Sequence, residues 1–242
     1  MKKSVSFRQV LPAAFVILSA AIFTCAQELP ALKQNTRPGR EAASTATDPA
    51  STDSAKFTYE FSQPKFYVKH IVLEHDSNGH GKITFERLNE DAAVVEPLEL
   101  SPAALARIRG YWDALQFLDS DTNYQSSQQF AHLGTMRIGM ERGDKKRVAE
   151  FNWTHNQSAS SLVTEYRRLS DQAILVFDIS VARENQPLNA PKLMEVTESL
   201  IKRNGLSDPQ QLLPLLQEIS TDEHVPLIAR NHALRIIKLI KK

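Results

Sequence analysis

The chain has 242 residues, 42% of them hydrophobic and 24% charged, with 29 Lys and Arg against 28 Asp and Glu. That is the composition of a globular protein of one or two domains. A formal net charge of +1 argues against a nucleic-acid partner, which needs a basic footprint to displace counterions.

The chain opens "MKKSVSFR" and continues "VLPAAFVILSAAIFTCA". A basic start, an apolar run, and small residues at Thr24 and Ala26 before a cut at Gln27 read as a secretory signal peptide over residues 1–26. Two alternatives stay open. Val10–Ala26 is 17 residues long, the short limit of a membrane span, and could be retained as an anchor. Cys25 could carry a lipid, although Phe23 and Thr24 stand where small residues are expected. The protein is thus expected to be exported to the periplasm or the extracellular space, with no stable membrane span after cleavage. It would be membrane-tethered only if the signal is retained. Removing Lys2, Lys3 and Arg8 leaves 26 basic against 28 acidic residues, a net charge of about −2.

Cys25 is the only cysteine. A mature chain without it can form no disulfide, thiolate nucleophile or Cys-ligated zinc. Its stability must come from an apolar core.

Residues 27–56 read as a disordered linker. From 31 they run "ALKQNTRPGREAASTATDPASTDSAK", with no aromatic and too little apolar surface to offset ordering entropy. Beyond it the expected fold class is α+β. Antiparallel hairpins pack against helices over 57–187, and an all-helical segment follows over 188–242.

"KFYVKHIVLEH" is rich in β-branched and aromatic residues and reads as a strand; "GKITFERL" reads as a second, with Ile83 and Phe85 on one face. "DAAVVEPLEL" is a candidate third. Pro97 lacks a backbone donor, which places that strand at an edge or a bulge. "SPAALARIRGYWDALQFL" is a helix with Ser101 as N-cap and Pro102 at the first position; Leu105, Ile108, Trp112, Leu115 and Leu118 form its stripe. "TMRIGMERGDKKRVAEFNW" is a hairpin turning at Gly143-Asp144.

From Ser158 to about Arg183, helical spacing runs through Leu162, Tyr166, Leu169, Ala173 and Phe177. Residues 174–181 alone would also suit a buried strand, but the continuous period favours helix. Next, "PKLMEVTESLIKRNG" is amphipathic and stops at Gly205. "SDPQQLLPLLQEIS" opens with a capping box from Ser207 to Gln210 and is kinked or broken at Pro214. "VPLIARNHALRIIKLIKK" starts at Pro226 and sets Ala229, Ala233, Ile236 and Ile240 on one face.

"HDSNGHGKITFER" (75–87) imitates a calcium loop. Counted from Asp76, the first, third, sixth and eighth positions fit. His80 replaces the fifth ligand, and Arg87 stands where the bidentate Glu belongs. Both flanks read as strands, so a hairpin turning at Asn78-Gly79, with Gly81 allowing a bulge, accounts for the residues better.

His70 and His75 point to opposite faces of a strand, and only His75 and His80, with Asp76, could approach each other. Surface-turn histidines explain them more simply than a zinc or copper site. His132, His155, His224 and His232 are isolated, and no zinc-protease, nucleophile-elbow or phosphate-loop pattern occurs. "DSDTNYQSSQQF" (119–130) is a polar connection that could hold a polar ligand, Trp153 reads as core or rim of the sheet, and "RGDKKR" (142–147) reads as a solvated hairpin tip. No catalytic, cofactor-binding or metal-ligating residue is assigned.

The last two helices resemble a HEAT-type pair over about 35 residues, one unit that needs neighbours to bury its apolar face. Residues 60–190 resemble an uncharacterised exported bacterial domain family, a resemblance that implies an order of elements and no activity. The expected function is a non-enzymatic binding or assembly module of the cell envelope. A protein partner, or self-association through the C-terminal helices, would serve it. The alternative is a hydrolase with a dispersed site acting on envelope material.

Overall fold

A computed structural model of the chain describes residues 54–242. The expected signal peptide, Cys25 and most of the expected linker lie outside the described residues. The linker was expected to run to residue 56, but Ala55 is fully buried and the first strand starts at Lys56.

Six strands form one antiparallel sheet: β1 (Lys56–Ser62), β2 (Val68–Asp76), β3 (His80–Arg87), β4 (Val94–Glu99), β5 (Thr135–Arg142) and β6 (Lys145–Phe151). Their spatial order is β4-β3-β2-β1-β5-β6. β1 is central, although the sequence reading passed over it. It bonds to β2 on one side and β5 on the other, and so joins the two hairpins into one sheet. Its "KFTYEFS" alternates cleanly: Phe57, Tyr59 and Phe61 face the core, and Thr58, Glu60 and Ser62 face away. β4 is an edge strand, one of the two placements that Pro97 allows.

The β2–β3 turn differs in detail from the expectation. It has three residues, Ser77 to Gly79, and Gly79 takes the left-handed conformation at φ 87°. Asp76 organises the turn. Its Oδ1 accepts from the N–H of Asn78 at 2.7 Å and of His80 at 3.0 Å. Gly81 is not the bulge; the irregularity lies in β2, between Val68 and His70. Gly81 instead serves a close approach, since a Cβ there would sit 1.8 Å from the Glu74 carbonyl oxygen.

Helix α1 (Pro102–Leu115) is capped by Ser101, whose hydroxyl accepts from Ala104 N–H at 3.2 Å. It buries Ala104, Ile108, Trp112 and Leu115, while Leu105 and Leu118 are only partly covered. Helix α2 (Gln157–Asn185) has 29 residues, or roughly 43 Å at 1.5 Å per residue. Residues 174–181 are helical within it, as the continuous period favoured.

Its length gives α2 two duties. Leu162, Val163, Tyr166 and Leu169 join the core under the sheet. Leu175 and Ile179 join a second core with α3 (Ala190–Lys202), α4 (Leu213–Thr221) and α5 (Leu227–Ile240). The apolar faces of the C-terminal helices, including Met194, Leu216, Ala233 and Ile236, are therefore covered within the chain.

Two terminal motifs depart from the sequence reading. Asn204, not Gly205, takes the left-handed position after α3, at φ 54°. Asn204 N–H reaches Ile201 O at 3.0 Å and Gly205 N–H reaches Leu200 O at 2.8 Å, the two bonds of a Schellman stop. The turn before α4 is capped by Asp208, whose side chain accepts from Gln210 N–H at 3.0 Å. Ser207 is engaged elsewhere. Pro214 sits in the first turn of α4, where its missing donor costs nothing.

Candidate interaction surfaces

The groups best suited to chemistry are bound up in holding the fold. His75 faces the core with 4% of its surface exposed. Trp112 Nε1–H donates to Tyr166 Oη at 3.0 Å, and the Tyr166 hydroxyl donates to His75 Nε2 at 2.8 Å. His75 Nδ1–H donates to the Asp76 carbonyl at 2.8 Å. A carbonyl can only accept, so His75 Nδ1 carries a hydrogen; with the imidazole neutral, as burial favours, His75 is the Nδ1–H tautomer and Nε2 accepts from Tyr166. Burial lowers the imidazole pKa; the hydrogen bond and charge of Asp76 pull it back only in part, and the charge of Arg109 adds a smaller lowering. Burial also pushes the Tyr166 hydroxyl pKa up. Phe57 stacks on His75 at 4.9 Å and Tyr59 on Tyr166 at 5.2 Å, closing the cluster to water.

His80 is exposed on the other side of the hairpin, so the structure does not bring it together with His75. Arg87, the misfit of the calcium-loop pattern, points into the core. It pairs with Asp178 of α2, and its guanidinium lies 5.2 Å from the Phe85 ring and 5.6 Å from the Phe177 ring. Among the described residues, no three His, Cys, Asp or Glu side chains are grouped so as to hold a metal ion.

The remaining histidines are scattered. His232 binds Glu198 at 2.7 Å and His224 binds Asp222 at 3.1 Å. His132 and His155 are exposed. Among the described residues no serine or threonine hydroxyl is hydrogen-bonded to a histidine, the contact that defines a Ser–His type of nucleophile.

The polar connection 119–130 is tied down along its length. Arg147 donates to Phe117 O at 2.7 Å and Thr122 O at 2.6 Å and lies 4.6 Å over the Phe117 ring. Arg147 thus leaves the solvated hairpin tip to which its basic neighbours belong. Gln125 and Asn152 exchange bonds of 2.9 and 3.1 Å, and Tyr124 is buried. Trp153 sits at the rim, 40% exposed, edge-on to Phe130.

Three surfaces remain open. The first is the sheet face opposite the helices. A row of charges crosses it: Glu86, His70, Glu60, Arg137 and Glu150, each within 3.4 Å of the next. Burial opposes charging His70, but its hydrogen bonds with Glu60 and Glu86 outweigh this and raise its pKa. Beside the row lies a shallow groove of about 720 Å³ over Thr58, Gly139 and Val148. The second is a groove of about 450 Å³ between β4 and α2. The third is the outer side of α5, where Leu227, Ile228 and Leu234 are 61%, 66% and 46% exposed. Sequence reading found the buried stripe of α5 but missed this second, outward one. The signal was the extra leucines at 227 and 234, one heptad apart.

Compared with known proteins, the chain matches no family model, and no curated protein is significantly similar to it. Among the described residues no helix is long and apolar enough to cross a membrane.

Proposed function

We propose that the protein is an exported, non-enzymatic binding and assembly module of the cell envelope, and that it associates through the outer side of α5. The observation that carries this is the exposure of Leu227, Ile228 and Leu234 on a helix whose opposite side, at Ala229, Ala233 and Ile236, is fully buried. Leu227, Asn231, Leu234 and Lys238 follow helical spacing and form one outward stripe.

A second copy is the partner that suits this stripe best. Two α5 helices packed antiparallel about Asn231 bring the Leu227 of one beside the Leu234 of the other. The same leucines thus meet from both copies, so the contact is self-complementary. The export part of the proposal rests on the basic-then-apolar start of the chain. The hydrolase alternative has less support, because His75 is buried among core residues and the other histidines contact no hydroxyl. The test is the solution mass of the full chain, compared with that of a variant carrying Leu227→Glu and Leu234→Glu.

A further inference from the structure

We infer that the groove between β4 and α2 receives an extended segment of a partner protein, built of alternating aliphatic and basic side chains, as an added strand on β4. This is independent of the α5 reading.

Three observations lead there. First, the groove has the shape for it. Its volume of about 450 Å³ lies between an edge strand and a helix, over an apolar floor that includes Leu98, Val176 and Val181. Gln211 closes one end by donating to the Glu99 carbonyl at 3.1 Å.

Second, the edge has bonding groups to offer. Leu100 N–H bonds to Gly79 O at 3.0 Å, which sets the alternation along β4. Glu96 and Leu98 bond inward to β3, while Val95, Pro97 and Glu99 turn their backbone groups to the free side. A guest strand can pair with the N–H and C=O of Val95 and the C=O of Pro97, the mode of strand addition. Pro97 withholds one donor, which discourages indiscriminate edge pairing.

Third, the charge is one-sided. Glu96, Glu99 and Glu184 line the groove, and no Lys, Arg or His does. Among the described residues none of these three carboxylates has an ion-pair partner. Like charges at Glu96 and Glu99 work against two β4 edges pairing with each other. Glu96 shares the groove face of β4 with Leu98, and Glu99 lies on the other face. A guest that turns its aliphatic side chains to the floor thus sets its basic ones on the Glu99 face, with Glu96 and Glu184 adding negative charge along the groove.

The experiment is fluorescence anisotropy on the full chain with three labelled octapeptides. One alternates lysine and valine, one alternates glutamate and valine, and the third is the lysine peptide with N-methylated backbone amides. The lysine peptide should bind saturably. The glutamate and N-methylated peptides should each bind at least roughly tenfold more weakly. Glu96→Lys and Glu184→Lys together should weaken the lysine peptide by a similar factor, with the circular-dichroism spectrum unchanged. The exposed Val181→Arg should do the same, providing a second variant if the double charge reversal impairs folding. Equal binding of all three peptides, no saturable binding, or affinity within about twofold in both variants would overturn the proposal.

Discussion

His75 and Tyr166 are 91 residues apart in sequence and share a 2.8 Å hydrogen bond in the core. The bond joins β2 to α2, and Trp112 adds α1 to the same oxygen at 3.0 Å. Three elements from distant parts of the chain are thus referred to one hydroxyl group. Protonating His75 would put a second donor against that oxygen and leave the tyrosine proton without an acceptor.

This sets a pH dependence with a definite sign. The folded pKa of His75 lies below its ordinary value of 6.5, so its stability contribution is complete above 6.5 and is lost as the pH falls toward the folded pKa. Urea melts at stepped pH should show the loss beginning below about 6.5. Tyr166→Phe should cost about 2 kcal/mol at neutral pH, because it strands the indole N–H and the imidazole nitrogen together. A neutral effect of that substitution would show that the chain of bonds is not maintained in solution.

His70 carries the opposite sign. Its pKa is raised above 6.5 by Glu60 and Glu86, so its contribution is full below 6.5 and is lost as the pH rises through the folded value. Two-dimensional NMR of the imidazole protons should find His70 titrating above 6.5 and His75 below it. The two in the reverse order would contradict the assignment of charge to the open face and neutrality to the core.

The C-terminal helices are held to the rest of the chain by a buried carboxylate. Glu165 on α2 is 2% exposed and receives Arg107 Nη2 at 2.6 Å and the Ser207 hydroxyl at 2.6 Å. Arg107 also donates to the Ser207 carbonyl at 2.8 Å. Arg107→Ala should cost about 3 kcal/mol by leaving that charge poorly compensated. Ser207→Ala should cost about 1 kcal/mol. The double variant should depart from the sum by about 0.5 kcal/mol or more, the mark of shared partners. Strict additivity in denaturant melts would mean that the three groups act separately.

Much of the architecture was legible in local pattern. Ser101-Pro102 announced α1, and the helical period through Phe177 identified the whole of α2. Pro97 marked β4 as an edge. The central strand was missed because "KFTYEFS" directly follows the linker composition, and its proof lies in pairing with β5 about 80 residues later. Ser207 was misread as a cap for the same kind of reason. Its sequence neighbourhood fits a capping box, but its partners are Arg107 and Glu165 on other helices.

The candidate surfaces were less legible still. Which apolar residues stay outside could not be read from local pattern. Leu227 and Leu234 look no different from Ala233 and Ile236 until α3 and α4 cover one side of α5 and leave the other. The β4–α2 groove depends on register and on the path of α2, neither of which a periodicity reports.

The most direct test of the assembly reading is light scattering of the full chain over a hundredfold range of concentration, against the same chain carrying Leu227→Glu and Leu234→Glu. The comparison isolates what α5 contributes. The account predicts a dimer for the parent and a monomer for the variant, with unchanged circular dichroism. The same mass for both, whether monomer or dimer, would contradict it.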